Sequence, residues 1–336
     1  MKICLIGGDG IGPEVVTESV RLLTATGIKF TIVEAEAGYG AYQRQGSSLP
    51  PATISRCKQA DAILFGAVTT PPQIPNYFSP IVKLRKELGL FANVRPFFSL
   101  PIKKTVQNLD IILVRENTED LYVGQERLTP EGAVAERVIT RKACRQVVDF
   151  AFKLAESRGR KQVTAVHKAN VLRLTDGIFL KQATKVAKKY PRIIFNEMLV
   201  DACALQLIRK PNMFDVLVTT NMFGDILSDE IAGLVGGLGV AASANIGAKY
   251  ALFEPVHGSA PKYQGTNKAN PLASFFSLAM MLEYLQQPQV AEIIRRSAIG
   301  LLTKGCSTAD LGGAASMTEF TDEMIKLVNR AVKKTS

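Results

Sequence analysis

The stretch NMFGDILSDE, from Asn221 to Glu230, constrains this chain more than any other. The run FDVLVTT from Phe214, just before it, is short, apolar and β-branched, which predicts a buried strand. Apolar residues then recur at helical spacing, so a helix is expected to follow the strand. Asp225 and Asp229 are four residues apart and would lie one turn apart on one helix face.

Two carboxylates placed in this way repel each other. One interpretation is that they bind a hard divalent cation, Mg²⁺ or Mn²⁺, which takes oxygen ligands and keeps positions open for water and substrate. The other is that they are two solvated acids near a helix N-terminus, where negative charge is favoured. The spacing alone favours the solvated pair, so the decision depends on the rest of the chain.

Strand-like and helix-like runs alternate along the sequence, which predicts an α/β protein. The predicted strands are residues 3–6, 29–35, 62–65, 110–114, 133–140, 162–166 and 214–220. Besides the helix after Gly224, the predicted helices are residues 15–26, 51–59, 79–88, 141–158, 176–190, 202–208, 273–285, 291–303 and 317–332. The turn GGDGIGPE from Gly7 does not match the dinucleotide fingerprint GxGxxG, because Pro13 stands at the third glycine position.

Composition narrows the class of protein. A length of 336 residues is enough for two lobes and a large core. The five scattered cysteines contain no CxxC pair, which favours a reducing compartment and predicts a cytoplasmic protein without disulfides. No apolar run is long enough for a membrane helix. The net charge of +11 is spread along the chain without a nucleic-acid-binding motif, so we expect neither a membrane nor a nucleic-acid partner.

Three arginines, Arg85, Arg95 and Arg115, end or follow separate predicted elements. Each alone is typical of a surface residue, but together they fit a site for a di- or tricarboxylate, which arginine binds with paired hydrogen bonds. Lys168 follows a predicted buried strand and is either a general base or a salt-bridged lysine. Asp201 is a third acid, predicted to lie just before a helix.

Eight motifs identify a family. In chain order they are GGDGIGPE from Gly7, LRKELGLFANVRP from Leu84, RENTEDLY from Arg115, HKAN from His167, TTNMFGDILSDE from Thr219, SANIG from Ser243, FEPVHGSAP from Phe253 and ANP from Ala269. With them the chain resembles, over nearly its whole length, the β-decarboxylating dehydrogenases that act on isocitrate, homoisocitrate, 3-isopropylmalate and related tartrate or malate substrates.

The resemblance implies a two-lobed fold, with residues 1–97 and 245–336 in a large cofactor-binding lobe and residues 98–244 in a small lobe. It implies a homodimer with the active site shared across the interface. Asp225 and Asp229 would bind Mg²⁺ or Mn²⁺ together with Asp201 of the partner subunit. By the same resemblance, Lys168 of the partner subunit is the general base and Tyr122 the acid. The implied substrate-binding residues are Ser79, Arg85, Arg95, Arg115 and Asn170.

The segment YFSPIVK, from Tyr77 to Lys83, indicates the substrate, because in this family it contacts the variable arm of the substrate. With Ser79 it is most similar to homoisocitrate dehydrogenases and lacks the longer apolar wall of isopropylmalate enzymes. We therefore expect a hydroxy tricarboxylate, homoisocitrate or isocitrate, with 3-isopropylmalate as the alternative. A non-catalytic regulatory subunit is a further alternative, but such subunits usually lack part of the Tyr, Lys and Asp set that is present here.

The cofactor implied by the resemblance is NAD⁺ or NADP⁺. Relatives that use NAD⁺ usually carry Asp-Ile where this chain has Lys262 and Tyr263, a pair that resembles NADP⁺ enzymes. Residues 308–313, in contrast, resemble the NAD⁺ type, and the balance favours NADP⁺. The implied cofactor-binding residues are Thr69, Glu254, His257, Gly258, Ser259, Ala260, Lys262, Tyr263 and Asn270.

Overall fold

The computed structural model describes residues 1–74, 77–103 and 105–335. Within them the strands are β1 (Lys2–Gly8), β2 (Thr31–Glu34), β3 (Ala62–Ala67), β4 (Ala92–Phe98), β5 (Asp110–Glu116), β6 (Glu126–Thr129), β7 (Gly132–Ala135), β8 (Gln162–His167), β9 (Ile194–Leu199), β10 (Val216–Thr219), β11 (Ala242–Ile246) and β12 (Ala251–Pro255). Ten of them form one sheet in the order β2-β1-β3-β12-β11-β4-β5-β10-β8-β9, and β6 pairs with β7 in a separate hairpin.

The helices alternate with these strands, which confirms the predicted α/β class. They are α1 (Gly12–Ala25), α2 (Tyr39–Gln45), α3 (Pro51–Lys58), α4 (Pro80–Glu87), α5 (Arg141–Ser157), α6 (Thr175–Ala187), α7 (Val200–Arg209), α8 (Asn221–Val235), α9 (Leu272–Tyr284), α10 (Pro288–Thr303) and α11 (Met317–Thr335). None of the described helices combines the length and apolar composition needed to cross a bilayer.

The sheet has two parallel wings joined by an antiparallel centre. Strands β2, β1, β3 and β12 run parallel to one another, as do β5, β10, β8 and β9. In the centre, β11 pairs antiparallel with β12 and β4, and β4 pairs antiparallel with β5. All residues of β3 and β10 are buried, because helices cover both faces of the parallel wings. The predicted lobe boundaries, at residues 97 and 245, fall within β4 and β11, and the lobe division itself stays a prediction.

Five strands of the structure, β4, β6, β9, β11 and β12, are not among the predicted strands. β4 contains Pro96, a residue that argues against a strand inside a sheet. Pro96 is tolerated since it lies beyond Val94, the last β4 residue paired with β11. β7 covers only the first part of the strand predicted at residues 133–140.

The two helices that carry the predicted metal-binding acids begin earlier in the chain than predicted. Helix α7 begins at Val200, so Asp201 lies in its first turn and not before it. Helix α8 begins at Asn221, ahead of Gly224. Gly224 is required for packing and not for breaking the strand, because a Cβ atom there would lie 2.6 Å from Cγ of Arg115.

Candidate active site

A cleft of about 400 Å³ lies over the antiparallel centre of the sheet. We call it the front cleft. It brings together the predicted substrate, acid and metal residues Ser79, Arg85, Arg95, Arg115, Tyr122 and Asp225, and the predicted cofactor residues Glu254, His257 and Gly258. Residues that are far apart in the chain, such as Ser79 and Gly258, therefore meet in one cavity.

The three predicted arginines lie side by side beneath this cleft. Arg85 comes from α4, Arg95 from β4 and Arg115 from β5, and all three side chains are buried. Arg85 donates to Glu254 at 3.0 Å, so this predicted cofactor residue belongs to the arginine cluster within the chain. Buried guanidinium groups need acceptors on every side, and the sheet supplies them.

A hub of asparagines, which the sequence analysis did not identify, holds these arginines. Oδ1 of Asn245 on β11 accepts from Nε of Arg85 at 3.1 Å and from Nδ2 of Asn93 and of Asn117 at 2.9 Å each. Oδ1 of Asn93 in turn accepts from Nε of Arg95 at 2.6 Å. Asn93 is two residues from Arg95, hence on the same face of β4, which is the one sequence signal that could have indicated it.

One donor of the cluster lacks a partner. Nη2 of Arg115 is buried without a hydrogen-bond acceptor among the described residues, although Nε donates to the carbonyl and side chain of Asn221. Burial lowers the pKa of Arg115, and the charge of Arg85 lowers it further. Burial, with the charge of Arg115, also lowers the pKa of Arg95 to about 10. An incoming carboxylate would relieve both the missing hydrogen bond and the repulsion.

Asp225, in the second turn of α8, faces this cluster. It accepts hydrogen bonds from Arg115 Nη1, from Arg95 Nη2 at 3.4 Å and from the phenol of Tyr122 at 2.5 Å. Burial opposes its ionisation, but the charges of Arg115 and Arg95 outweigh burial and hold the pKa of Asp225 below its usual value. Asp225 is therefore a carboxylate at neutral pH.

Asp229 lies one turn further along α8 and is half exposed, with its side chain 54% accessible. Oδ1 of Asp229 is 3.7 Å from Nη1 of Arg95. Burial raises the pKa of Asp229, and the negative charge of Asp225 adds to that rise. The repulsion inferred from the spacing of these two acids is thus present in the structure.

Lys168 and Asp201 form a pair of their own. Nζ of Lys168 donates to Asp201 at 2.7 Å, and neither residue lines the front cleft; Asn170 is exposed nearby in the chain. No group of three or more His, Cys, Asp or Glu side chains suited to a metal ion forms among the residues that the structure describes. Within one chain, Asp201 therefore does not join Asp225 and Asp229.

The predicted cofactor residues follow the carboxyl ends of β3 and β12. The hydroxyls of Thr69 and Ser259 are 2.7 Å apart. Gly10 packs against this loop so closely that a Cβ atom there would lie 2.0 Å from the carbonyl oxygen of Ser259. Nε2 of His257 is buried without a partner among the described residues, and burial lowers the pKa of this histidine, so it is neutral at pH 7.

The remaining predicted cofactor residues border this loop. Ala260 adopts a left-handed conformation with φ of 38°. Lys262 and Tyr263 are exposed, with the ammonium 5.0 Å from the ring centroid. Asn270 donates to Asp310 at 2.9 Å. The loop thus carries an exposed positive charge on its surface and, beneath it, an imidazole nitrogen without a partner in the part of the chain that the structure describes.

A second cleft of about 400 Å³ lies on the opposite face of the sheet. Val94 lines it, whereas Arg95 lines the front cleft, because successive side chains of β4 point to opposite faces. Its floor is largely apolar and its charges are paired, such as Arg158 with Glu283 at 2.8 Å. The front cleft, in contrast, is lined by Arg115 and His257, each of which has a buried nitrogen without a partner among the described residues. We therefore assign the chemistry to the front cleft.

Comparison with known proteins agrees with this geometry. The family model described as isocitrate/isopropylmalate dehydrogenase matches residues 2–328. The homoisocitrate dehydrogenase of Methanocaldococcus jannaschii is 47% identical, covering 99% of this chain and 99% of that protein. The 3-isopropylmalate dehydrogenase of Methanothermobacter thermautotrophicus is 48% identical, covering 97% of this chain and 98% of that protein. The solved isocitrate dehydrogenase from Methylococcus capsulatus has a TM-score of 0.95 at 41% identity, covering 98% of this chain and 99% of that chain.

Proposed function

This chain belongs to the isocitrate/isopropylmalate dehydrogenase family and is a β-decarboxylating dehydrogenase, and we propose that its substrate is homoisocitrate or isocitrate. The reaction would oxidise the hydroxyl-bearing carbon, release CO₂ and reduce NADP⁺ or NAD⁺, with Mg²⁺ or Mn²⁺ bound. The observation that carries the proposal is the front cleft, where three buried arginines, one with a free N–H, face Ser79, Tyr122 and Asp225.

The side chains at the mouth of the cleft bear on the choice of substrate. Relatives at 47% and 48% identity are named for different substrates, so overall identity does not discriminate. The hydroxyl of Ser79 and the arginine cluster favour a third carboxylate on the variable arm. Val68, Ile81 and Val82 line the same cleft and favour 3-isopropylmalate as the second candidate.

The residues present fit a divalent cation. Asp225 and Asp229 present hard oxygen ligands one turn apart, and their mutual repulsion would be relieved by a cation. Asp201 of the partner subunit would complete the set. When bound, the cation would supply a Lewis acid for the substrate oxygen, and the nicotinamide would supply the hydride acceptor.

The chain's own residues would bind the substrate and move two protons. The arginines hold the carboxylates, including the one that leaves as CO₂. Nζ of Lys168 of the partner subunit takes the proton of the hydroxyl as that carbon is oxidised. Burial raises the pKa of Tyr122, outweighing the charge of Arg115, so its phenol keeps a proton to donate to the carbon that loses CO₂.

A homodimer would supply the base that a single chain lacks in its cleft. Lys168 and Asp201 lie outside the front cleft, and exposed apolar side chains lie on α7, which carries Asp201, and on α8. Leu205 and Ile208 on α7 are 54% and 61% exposed, and Ile226 on α8 is 58% exposed. Such a surface is typical of a subunit interface. We also place the enzyme in the cytoplasm, in keeping with its five free cysteines.

We propose NADP⁺ as the preferred cofactor. The unpaired Nε2 of His257 and the close contact of Gly10 with Ser259 fit a loop that receives a dinucleotide. The exposed ammonium of Lys262 suits a 2′-phosphate. Lys262→Asp combined with Tyr263→Ile is expected to lower the NADP⁺/NAD⁺ ratio of kcat/KM by about 10²-fold or more, since a charge attraction becomes a repulsion. An unchanged ratio would refute the assignment.

The test of the proposed function is a panel of initial rates. Isocitrate, homoisocitrate, 3-isopropylmalate, tartrate and malate are each assayed with NAD⁺ and NADP⁺, with Mg²⁺ and with chelator. We expect chelator-sensitive reduction that is fastest with a tricarboxylate. Faster turnover of 3-isopropylmalate would select the second candidate, and a folded dimer inactive with every substrate would favour the regulatory subunit.

A further inference from the structure

Arg137 is partly buried, with its side chain 13% exposed, and it lies at a position predicted only as part of a strand. All five of its N–H donors have acceptors. Nε and Nη2 donate to the two oxygens of Asp120 at 2.6 and 3.3 Å, and Nη1 donates to Asp176 and to Thr175 at 3.1 Å. Nη2 also donates to Thr220 at 3.0 Å. Arg137 therefore connects three separate segments of the chain.

The first segment carries Tyr122. Asp120, two residues earlier, is fully buried and has a φ of 70°, a conformation that a non-glycine residue keeps only when its surroundings hold it. Its Oδ1 accepts from the backbone N–H of Leu121 at 3.0 Å. The paired hydrogen bonds from Arg137 thus fix the turn from which the Tyr122 phenol reaches the cleft.

The second segment carries Lys168. Asp176, in the first turn of α6, is also fully buried. One carboxylate oxygen accepts from Arg137, and the other accepts from the backbone N–H of Lys168 at 2.6 Å. Arg137 therefore holds the backbone of this lysine through a single intermediate side chain.

The third segment carries Asp225. Thr220 is the N-cap residue of α8, yet its side chain does not cap the helix, because its hydroxyl accepts from Arg137. Instead, Oδ2 of Asp120 accepts from the N–H of Met222 in the first turn of α8 at 3.0 Å. The start of α8 is thus held by Arg137 directly and again through Asp120.

We propose that Arg137 is a positioning residue that sets the segments of Tyr122, Lys168 and Asp225 relative to one another. The inference rests on the proposed function, which gives those residues their roles. A guanidinium is needed because it reaches four acceptor side chains in a fixed plane, whereas an ammonium reaches fewer. Lysine at this position would keep the charge between the two buried carboxylates and so keep the fold.

The test is Arg137→Lys, with Arg160→Lys as the matched control. Arg160 also bridges two aspartates, Asp110 and Asp215, but at the other end of the same strands. We expect Arg137→Lys to lower kcat by about 30-fold while KM for the hydroxy acid changes by less than about threefold. Arg160→Lys is expected to keep kcat within about twofold. A kcat for Arg137→Lys as high as that of the control would overturn the inference.

A second measurement does not depend on activity. Hydrogen exchange of backbone amides is followed in peptides covering residues 117–123, 167–177 and 220–225. Arg137→Lys should speed exchange in all three, and Arg160→Lys in none. Thr220→Val should speed exchange in the α8 peptide, whereas Thr220→Ser, which keeps the hydroxyl, should not. Faster exchange in only one segment would contradict the connecting role. An inactive wild-type protein would refute the proposed function, while the exchange data would still decide this inference.

Discussion

At each end of strands β5, β8 and β10 an arginine bridges two aspartates, but the two clusters differ in burial and in the segments that they hold. At the amino end, Arg160 bridges Asp110 and Asp215 and is 20% exposed, with Asp110 62% exposed. At the carboxyl end, Arg137 bridges Asp120 and Asp176, whose side chains are 0% exposed.

The difference is in what each cluster holds. Oδ2 of Asp215 accepts from the N–H groups of Lys161 and Gln162, so the amino-end cluster fixes the turn into β8 and ties it to the start of β5 through Asp110. The carboxyl-end cluster fixes the segments that carry the predicted catalytic residues. Burying ion pairs is costly, and a solvated cluster suffices to hold a fold. The deep burial at one end therefore points to a demand for fixed geometry there.

The largest effect that this comparison predicts is at Asp225. Asp225→Asn is expected to lower kcat by about 10³-fold, because it removes a charge that faces the reacting atoms and accepts from Tyr122. Asp215→Asn, at the other end of β10, should leave kcat within about twofold. It should instead cost about 1–2 kcal/mol of the free energy of unfolding, since Asp215 accepts from Arg160 and two backbone N–H groups.

Steady-state kinetics and urea unfolding of the two variants measure this contrast. Similar losses of kcat in both would show that the two ends of the strands do not differ in function. If Asp225→Asn lowered the free energy of unfolding and left kcat unchanged, Asp225 would have no role in the chemistry.

The next largest effect tests whether the site at the carboxyl end of the strands is completed by a second subunit. The amino-end cluster is closed within one chain, whereas Lys168 and Asp201 lie outside the front cleft of their own chain. Tyr122→Phe and Lys168→Met should each lower kcat by about 10²-fold or more. If the site is shared, mixing and reassociating the two inactive variants should restore about a quarter of wild-type activity, because half of the dimers then contain one intact site.

Mixtures of Tyr122→Phe with Asp225→Asn serve as the control, since both residues lie in one cleft of one chain. That mixture leaves every site with a lesion and should stay inactive. Failure of the first mixture to regain activity, in dimers shown to have exchanged subunits, would mean that each site is made by a single chain.

The sequence predicted the parts of this molecule that are local in the chain. The strand before Asn221, the helix after it and the stacked Asp225 and Asp229 follow from periodicity within about twenty residues. The arginines were indicated by their residue type and their position at element ends. The structure places all three in one cleft, and their role in binding a substrate stays a prediction.

What the sequence missed depends on pairs that are distant in the chain. Asn93 and Asn245 are 152 residues apart and meet only because β4 pairs with β11. Glu254 on β12 and Arg85 on α4 are likewise 169 residues apart in the chain and meet only in the folded structure. Arg137 was missed because nothing in its local pattern distinguishes a buried bridge from an exposed strand residue. Sheet order is set by packing of the whole chain, and no single segment encodes it.

The smallest predicted effect comes from the opposite pKa shifts of Asp225 and Asp229, two acids on α8. Burial and the charge of Asp225 raise the pKa of Asp229, whereas the pKa of Asp225 is lowered by its arginines, against burial. If folding raises the pKa of a carboxyl, the folded protein loses stability as the pH rises from the unfolded-state pKa through the folded-state pKa of that group. One whose pKa is lowered contributes stability above its unfolded pKa, and this is lost as pH falls through the folded pKa. The two acids thus affect the metal-free protein with opposite signs.

Asp229→Asn should therefore raise the unfolding free energy of the metal-free protein at pH 7 by up to about 0.5 kcal/mol, since the side chain is half exposed. Adding Mg²⁺ should raise the Tm of the wild type but not of this variant, because a ligand stabilises only a state that binds it. Glu230→Gln is the matched control: it is the next residue of α8, and burial raises its pKa as well. It should keep the full Mg²⁺ response. If Mg²⁺ stabilises Asp229→Asn as strongly as Glu230→Gln, then Asp229 does not bind the cation.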